Sequence, residues 1–300
     1  MDSALDALVK QAPRGQRRAL EHLYAHARGW EPWCNQARLP RSIEQLEFEL
    51  LDFFDSISFL KQKKLRKEIL AATLIFLCIH EGQRRRDKNE PYFAHVLRVA
   101  QRVADFLGLV RQLDKSVQDE KIKDAIIAAL AHDSIEDHAK KLAERAYFWQ
   151  DANSTRTQAL SVVEDIFNMR VRHWVNILSA PPYEKKQNKQ AEYAKWVRAI
   201  WQDEDFVTTI LKLSDILDNL SSSLDFLEKD ECNYNADYFA RKGKAHKQVL
   251  KYTGVLMSLH KNYDKWACGI LKQKAIKNEI LRQIERELRR SQKFVRGISI

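Results

Sequence analysis

The sequence predicts an all-α protein, and both composition and periodicity favour this fold class. Of its 300 residues, 45% are hydrophobic and 31% are charged, but only 8 are Gly and 6 are Pro. A chain of short strands needs turn residues about every ten positions, so this chain has too few of them for an all-β fold. Its length suits one large helical domain or two ordinary ones.

Residues 1–62 are predicted to form a helical N-terminal extension. Apolar and basic residues alternate at helical spacing over residues 3–28, and an irregular connector with Pro and Trp follows. Ser42 and Gln45 then have the spacing of a capping box. Behind them, one apolar helical face continues through Leu46, Leu50, Phe53, Phe54 and Ile57.

A central domain over residues 63–264 and a basic C-terminal helix over residues 265–300 follow the extension. Gly82 and Gly108 are predicted to end the helices before them, and the polar residues 83–91 to form a loop. Apolar residues at helical spacing predict the helices themselves. These span, in order, Lys64–His80, Phe93–Leu107, Lys121–His132, Ala139–Gln150, Gln158–Leu178, Trp196–Trp201 after the charged segment Glu184–Lys195, Phe206–Leu220, Tyr238–His260 and Leu271–Phe294.

Charge and cysteine content limit the partners and the compartment. The net charge is +10, from 51 Lys and Arg against 41 Asp and Glu, which favours nucleic acid, an acidic protein surface or a phosphorylated small molecule. The longest apolar run, Ile69–Ile79, is too short to span a bilayer, so no membrane partner is expected. The sequence contains no C-x-x-C pair, so it suggests neither a zinc ribbon nor a redox motif. We therefore predict a cytoplasmic protein with reduced cysteines, which are Cys34, Cys78, Cys232 and Cys268.

The segment AALAHDSIED contains two pairs of side chains that can carry chemistry. His132 and Asp133 form the first pair, and Glu136 and Asp137 follow one helical turn later. Residues four apart lie on the same face of a helix, so all four side chains can reach a single cleft. A lone His-Asp dipeptide is more often a solvated helix end, but two other segments accompany this one.

The first of these segments carries His95 near the start of a helix, and the second is the string LKLSDILDNL. In that string Lys212, Asp215 and Asn219 share one helical face. Asp215 needs a partner inside so apolar a helix, because an unpaired buried charge is costly. Two imidazoles and two carboxylates suit manganese, with iron or zinc as alternatives. Such a metal would leave positions for water and substrate, as phosphoester hydrolysis requires.

Taken together, the segments HEGQRRRDKNEPYFAH, AALAHDSIED and LKLSDILDN resemble the signatures of the RelA/SpoT hydrolase domain and of small alarmone hydrolases. The resemblance covers residues 70–222. It implies an HD-domain helical bundle with additional N- and C-terminal helices. It also implies a manganese-dependent enzyme that removes the 3'-pyrophosphate from guanosine alarmones and leaves GDP or GTP.

The resemblance also assigns roles to individual residues. Glu136 and Asp137 would orient or deprotonate the attacking water, and Lys212 would support the anionic cluster or face the pyrophosphate. The metal ligands would be His95, His132, Asp133 and Asp215, and the nucleotide contacts Arg85, Arg86, Tyr92 and Asn219. The chain departs from the family pattern where Val96 replaces the usual Pro and where Leu220 and Ser221 leave no Arg after Asn219.

Two other functions fit the same residues. One is an HD phosphohydrolase that acts on another nucleotide, such as an adenosine alarmone or a phosphorylated dinucleotide. The other is a non-catalytic protein that senses a nucleotide and binds RNA or a partner through its basic ends. His80 is expected to be structural, the tryptophans to be packing anchors, and the basic C-terminal helix to be a solvated amphipathic helix.

Overall fold

The computed structural model describes residues 53, 56–80, 82–85, 90–147, 155–179, 189–228, 236–267 and 269–295. Most of the predicted N-terminal extension therefore lies outside the described residues, as do Arg86 and the side chains of the four cysteines. Among the described residues, no helix is both long enough and apolar enough to cross a bilayer.

The fold is all-α, as predicted, and the chain divides into two compact units. The first comprises Met1–Gln83 and Pro91–Ala180, and the second comprises Arg84–Glu90 and Pro181–Ile300. In the first unit the described helices are α1 (Lys63–Ile79), α2 (Tyr92–Leu113), α3 (Asp119–Tyr147), α4 (Thr155–Ile166) and α5 (Met169–Leu178). In the second they are α6 (Lys189–Trp201), α7 (Phe206–Glu228), α8 (Ala236–Trp266) and α9 (Lys274–Ser291), with a 3₁₀ turn at Gly269–Lys272.

Helix α3 is the centre of the first unit. Its residues 125–131 are fully buried, and α1, α2, α4 and α5 all pack against it. A helix that is apolar on every side is stable only where neighbours cover all its faces. His132 and Asp133 follow this stretch directly, so the packing of the core holds this part of the helix, and both residues with it, in place.

Helix α7 has the same central role in the second unit. Every residue from Val207 to Asp218 is buried, and α6, α8 and α9 pack around the helix. Buried hydroxyls within it bond to carbonyls of the preceding turn, as Ser214 Oγ does to Ile210 O at 2.8 Å. Helix α9 contributes an apolar stripe to this core through Ile276, Ile280, Ile284 and Leu288.

One predicted helix end is wrong at Gly108, because α2 continues through this glycine to Leu113. Glycine inside a helix costs only about 1 kcal/mol relative to alanine, and packing can offset that amount. A Cβ at Gly108 would lie 3.4 Å from a ring carbon of Phe59, so the missing side chain lets the ring approach the helix closely.

The predicted helix Gln158–Leu178 is in fact two helices, α4 and α5. The backbone of Asn168 is extended, with φ −176° and ψ 174°, and its side chain accepts a hydrogen bond from Val171 N. Asparagine is a preferred N-cap because its oxygen satisfies an N–H that has no partner within the helix. Asn168 therefore ends the first helix and begins the second.

The helices predicted as Lys121–His132 and Ala139–Gln150 belong to one element, α3, and residues 133–137 between them are helical too. The backbone of α3 is kinked at His138, where φ is −137° and ψ is 23°. The predicted break is thus present as a kink rather than as a loop. Helix α6 begins at Lys189, so part of the charged segment predicted before it is helical.

Candidate functional site

Four polar side chains meet in the first unit, where the start of α2 packs against α3. Tyr92 and His95 lie three residues apart on α2 and therefore on one face of it. The Tyr92 hydroxyl donates to Asp133 Oδ2 at 2.6 Å, and His95 Nε2 lies 3.4 Å from the same oxygen. His132 Nε2 lies 3.0 Å from it. A single carboxylate oxygen thus faces two imidazoles and a phenol.

The hydrogen bond of His132 to the backbone determines which of its nitrogens carries the hydrogen. Its Nδ1 lies 2.7 Å from Ala129 O, and a carbonyl can only accept, so Nδ1 must donate. The other nitrogen, Nε2, faces Asp133. It carries a lone pair when the ring is neutral and donates to the carboxylate when the ring is protonated. A carbonyl that fixes the tautomer in this way is typical of histidines that ligate metals. His132 therefore has a nitrogen that could ligate a metal ion.

Asp133 is a carboxylate at neutral pH. Burial raises the pKa of this carboxyl, but the imidazoles of His132 and His95 outweigh that effect and hold the pKa well below its usual value. Carboxylate oxygens and imidazole nitrogens are both ligand types that divalent metals use.

Gln83 connects the acidic residues to the core. Its side-chain oxygen lies 2.6 Å from His80 Nδ1 and 2.8 Å from His138 Nε2, and its Nε2 donates to Asp137 Oδ2 at 2.9 Å. Both imidazoles therefore donate to the amide oxygen, which leaves His80 Nε2 to accept from Ser134 Oγ at 3.3 Å. The segment HEGQ in the sequence contains Gln83, but sequence reasoning gave it no role.

His80 has the structural position expected for it, and it is neutral. It is buried and stacks on the Tyr92 ring, with 5.2 Å between ring centroids. Burial is the main reason that its pKa is lowered to about 4, although the bond to Gln83 opposes this shift.

The two predicted catalytic acids lie on α3 one turn after the His-Asp pair. Both Glu136 and Asp137 are exposed, and Asp137 is held by Gln83. Helical geometry puts them on the same side of α3 as His132 and Asp133, as the spacing predicted. They are accessible to solvent and can accept a proton.

In the second unit, Lys212, Asp215 and Asn219 share one face of α7, as predicted. Lys212 Nζ donates to Asp215 Oδ2 at 2.9 Å, and Asn219 Nδ2 donates to Asp215 Oδ1. Lys212 is thus one cationic partner that the buried Asp215 needs. A carboxylate offers about four acceptor sites, so these two bonds do not exclude metal ligation.

Arg85, a predicted nucleotide contact, is buried in the second unit. Its Nη2 donates to Asn219 Oδ1 at 3.0 Å, and its Nη1 lies 3.8 Å from Asp218 Oδ2. On the other side, its Nε lies 3.9 Å from Glu90 Oε1. Arg85 therefore orients Asn219, which in turn holds Asp215. Sequence reasoning missed Asp218, whose burial on α7 follows from the same apolar pattern.

Aromatic rings cover the Lys212 ammonium. Its Nζ lies 4.4 Å from the centroid of the Trp196 ring and 5.8 Å from that of Tyr193. Ring faces attract cations by about 0.5–2 kcal/mol, so Lys212 stays charged beside Asp215. Burial, the neighbouring Tyr193 and Asp215 raise the pKa of Tyr252 well above its usual value, which keeps that phenol neutral.

Three of the predicted metal ligands, His95, His132 and Asp215, are buried, and each offers an atom that could hold a metal ion. His95 and His132 belong to the first unit and Asp215 belongs to the second. The described part of the chain thus contains buried His and Asp side chains of the types that bind divalent metals. No protein-family model matches this chain, and neither does any curated protein or solved structure.

Proposed function

We propose that this chain is a metal-dependent phosphohydrolase that removes the 3'-pyrophosphate of guanosine alarmones in the cytoplasm. The observation that supports this proposal is that His95 Nε2 and His132 Nε2 face one oxygen of Asp133, at 3.4 and 3.0 Å. Asp215 is proposed as the fourth ligand. Manganese is the proposed metal, with iron or zinc as alternatives, because the ligand set mixes imidazole and carboxylate.

Each residue near Asp133 has a defined task in this proposal. The cation, when bound, lowers the pKa of a water ligand and offsets negative charge on a phosphoryl oxygen. Tyr92 holds the Asp133 carboxylate in one orientation through its 2.6 Å hydrogen bond. The Ala129 carbonyl keeps the hydrogen of His132 on Nδ1, so that Nε2 can ligate.

The proton of the attacking water goes to an acidic side chain on the next turn of α3. Glu136 and Asp137 are both exposed there, and Gln83 orients Asp137. A general base must come within hydrogen-bond reach of the proton that it accepts, and its pKa must suit the operating pH. Glu136 and Asp137 are proposed to share this task.

Substrate recognition would depend on the basic residues of the second unit. Lys212 and Arg85 bring two positive charges to α7 and hold Asp215 and Asn219 in place. These charges favour an anionic group such as a pyrophosphate. Arg86, also proposed to contact the nucleotide, lies outside the described residues.

The test is a pyrophosphate-release assay with Mn²⁺ and guanosine 3',5'-bisdiphosphate. His132→Ala should abolish release, whereas His173→Ala should not change it, because His173 is an exposed histidine on α5. Metal analysis of the purified protein should find about one divalent ion per chain and much less in Asp133→Asn.

Other outcomes would overturn the proposal in distinguishable ways. Turnover of only an adenosine alarmone or a phosphorylated dinucleotide would retain the phosphohydrolase but change its substrate. Nucleotide binding without metal or turnover would identify a sensor instead of an enzyme. Release that survives His132→Ala would remove the proposed centre from the reaction.

A further inference from the structure

Helices α6 and α8 of the second unit enclose a pocket of about 370 Å³. Small-molecule sites usually measure about 300–1,000 Å³, so this volume suits a ligand of modest size. The residues of the pocket that could recognise a ligand are Arg198, Trp201, Lys251, Gly254, Ser258 and Trp266. None of them belongs to the centre proposed for hydrolysis.

Two tryptophans form an aromatic wall of this pocket. The rings of Trp201 and Trp266 are stacked, with centroids 5.8 Å apart and planes at 29°. Trp201 is only 2% exposed, and its Nε1 has no hydrogen-bond partner among the described residues. A buried donor without a partner is destabilising.

The charged residues that line the pocket are basic. The Arg198 guanidinium lies 5.7 Å from the centroid of the Trp266 ring, so it borders the aromatic wall. Lys251 Nζ lies 3.4 Å from the centroid of the Tyr193 ring. None of the described residues that line the pocket is acidic. An anionic group would therefore meet two cations and no repelling carboxylate in the lining.

We propose that this pocket is a second ligand site, which binds a phosphorylated aromatic molecule of the size of a mononucleotide. The flat ring packs against the accessible part of the tryptophan wall, where Trp266 is 8% exposed, and the phosphate pairs with Arg198 and Lys251. Stacked rings and basic side chains are the combination with which proteins bind nucleotides independently of base sequence. This inference does not rest on the proposed hydrolysis, since none of the proposed metal ligands lines the pocket.

Calorimetric titration with AMP and with GMP, in EDTA to remove divalent metal, tests the proposal. The unmodified chain should bind one equivalent of at least one of them with a Kd below about 1 mM. Adenosine, guanosine and ribose 5-phosphate should each bind more weakly, because they lack either the phosphate or the ring.

Two variants test the location, and each has a matched control. A Cβ at Gly254 meets nothing within 4 Å, so Gly254→Phe should fill the pocket without disturbing the fold. Gly243 on the same helix is equally open but does not line the pocket, which makes Gly243→Phe its control. Arg198→Ala is compared with Lys195→Ala, an exposed position on α6 outside the pocket.

Gly254→Phe and Arg198→Ala should each weaken binding by about tenfold or more, within the range that one stacked base contributes. Both controls and His132→Ala should bind as the unmodified chain does. Absence of saturable binding for AMP and GMP would overturn the proposal. Binding that survives Gly254→Phe, or that is lost in His132→Ala, would overturn it too, because the nucleotide would then occupy a different site. None of these outcomes depends on whether the chain hydrolyses an alarmone.

Discussion

Replacement of Lys123 by methionine should strongly destabilise the first unit. Lys123 lies on α3 and donates to Glu68 Oε2 on α1 at 2.8 Å, and both side chains are almost fully buried, with 11% and 9% exposed. The variant leaves the Glu68 carboxylate buried beside an apolar side chain. Breaking a buried pair by removing one partner costs about 3–5 kcal/mol, so we expect a loss of that size in the free energy of unfolding.

Urea unfolding of the purified chain at neutral pH measures this loss. The double variant Glu68→Leu, Lys123→Met removes both charges and should be within about 2 kcal/mol of the unmodified chain, since apolar replacement of a whole pair is often neutral. Asp124 also accepts a hydrogen bond from Lys123 and loses it in both variants. It still accepts hydrogen bonds from Arg170 Nη1 at 3.0 Å and from Asn168 Nδ2 at 2.9 Å, so its carboxylate remains paired. Lys195→Met is the exposed control and should change stability by no more than about 0.5 kcal/mol.

The dependence on pH gives a second check of the same reasoning. Burial lowers the pKa of Lys123, but the hydrogen bonds to Asp124 and Glu68 outweigh it and raise the pKa above 10.5. A raised pKa means that the stabilisation is complete below 10.5 and is lost as pH rises through the folded value. The difference between unmodified chain and variant should therefore stay constant from pH 7 to about 10. A difference below about 1 kcal/mol, or a double variant as unstable as the single one, would refute the argument.

Two further predictions concern the elements that support the candidate centre. Because the pKa of His80 is lowered from 6.5 to about 4, folding stability should fall as pH drops from 6.5 towards 4, by an amount on the order of 3 kcal/mol. This contribution should be missing in His80→Gln but present in His173→Gln when urea midpoints are compared across pH, and equal slopes would contradict it. Asn168→Ala removes the N-cap of α5, whose oxygen accepts from Val171 N at 3.0 Å, and should cost about 1–2 kcal/mol in thermal or urea unfolding. Both Asn168→Ala and Asn168→Ser lose the bond from Asn168 Nδ2 to Asp124 Oδ1, but only serine keeps a cap. Asn168→Ser should therefore be the more stable of the two, and an equal loss in both variants would argue against a capping role.

Helical periodicity predicted much of this structure because the helices bury complete faces. Helix α1 spans Lys63–Ile79 where Lys64–His80 was predicted. The buried stretches 125–131 and 207–218 of the two central helices lie inside the predicted helices Lys121–His132 and Phe206–Leu220. The position of Glu136 and Asp137 one turn after His132 and Asp133, and the shared face of Lys212, Asp215 and Asn219, also followed from residue spacing alone. These features depend only on contacts within a helix or between neighbouring positions.

Features that depend on tertiary contacts could not be predicted in the same way. Gly108 does not end α2, because packing offsets the low helix propensity of glycine, and the ring of Phe59 lies against its missing side chain. Gln83 hydrogen-bonds to His80 nearby and to Asp137 and His138, which lie 54 and 55 positions away in the sequence. The buried position of Arg85 depends on residues 134 positions away. No local pattern contains such partners, so spacing within one segment cannot reveal them.

The energetics of the first unit favour a functional origin for the group of four polar side chains formed by Tyr92, His95, His132 and Asp133. His95 and His132 are 1% and 4% exposed, on helices whose other buried residues are mostly Val, Ile, Leu, Phe and Ala. Aliphatic side chains there would bury more apolar surface and would not place an ionised carboxylate in the interface. A buried group of ionisable residues is therefore a poor means of stabilising this interface. A cation would make the same arrangement favourable, because it would offset the charge of Asp133. The burial of His95 and His132 is thus better explained by a metal ion that they could hold than by what they add to folding.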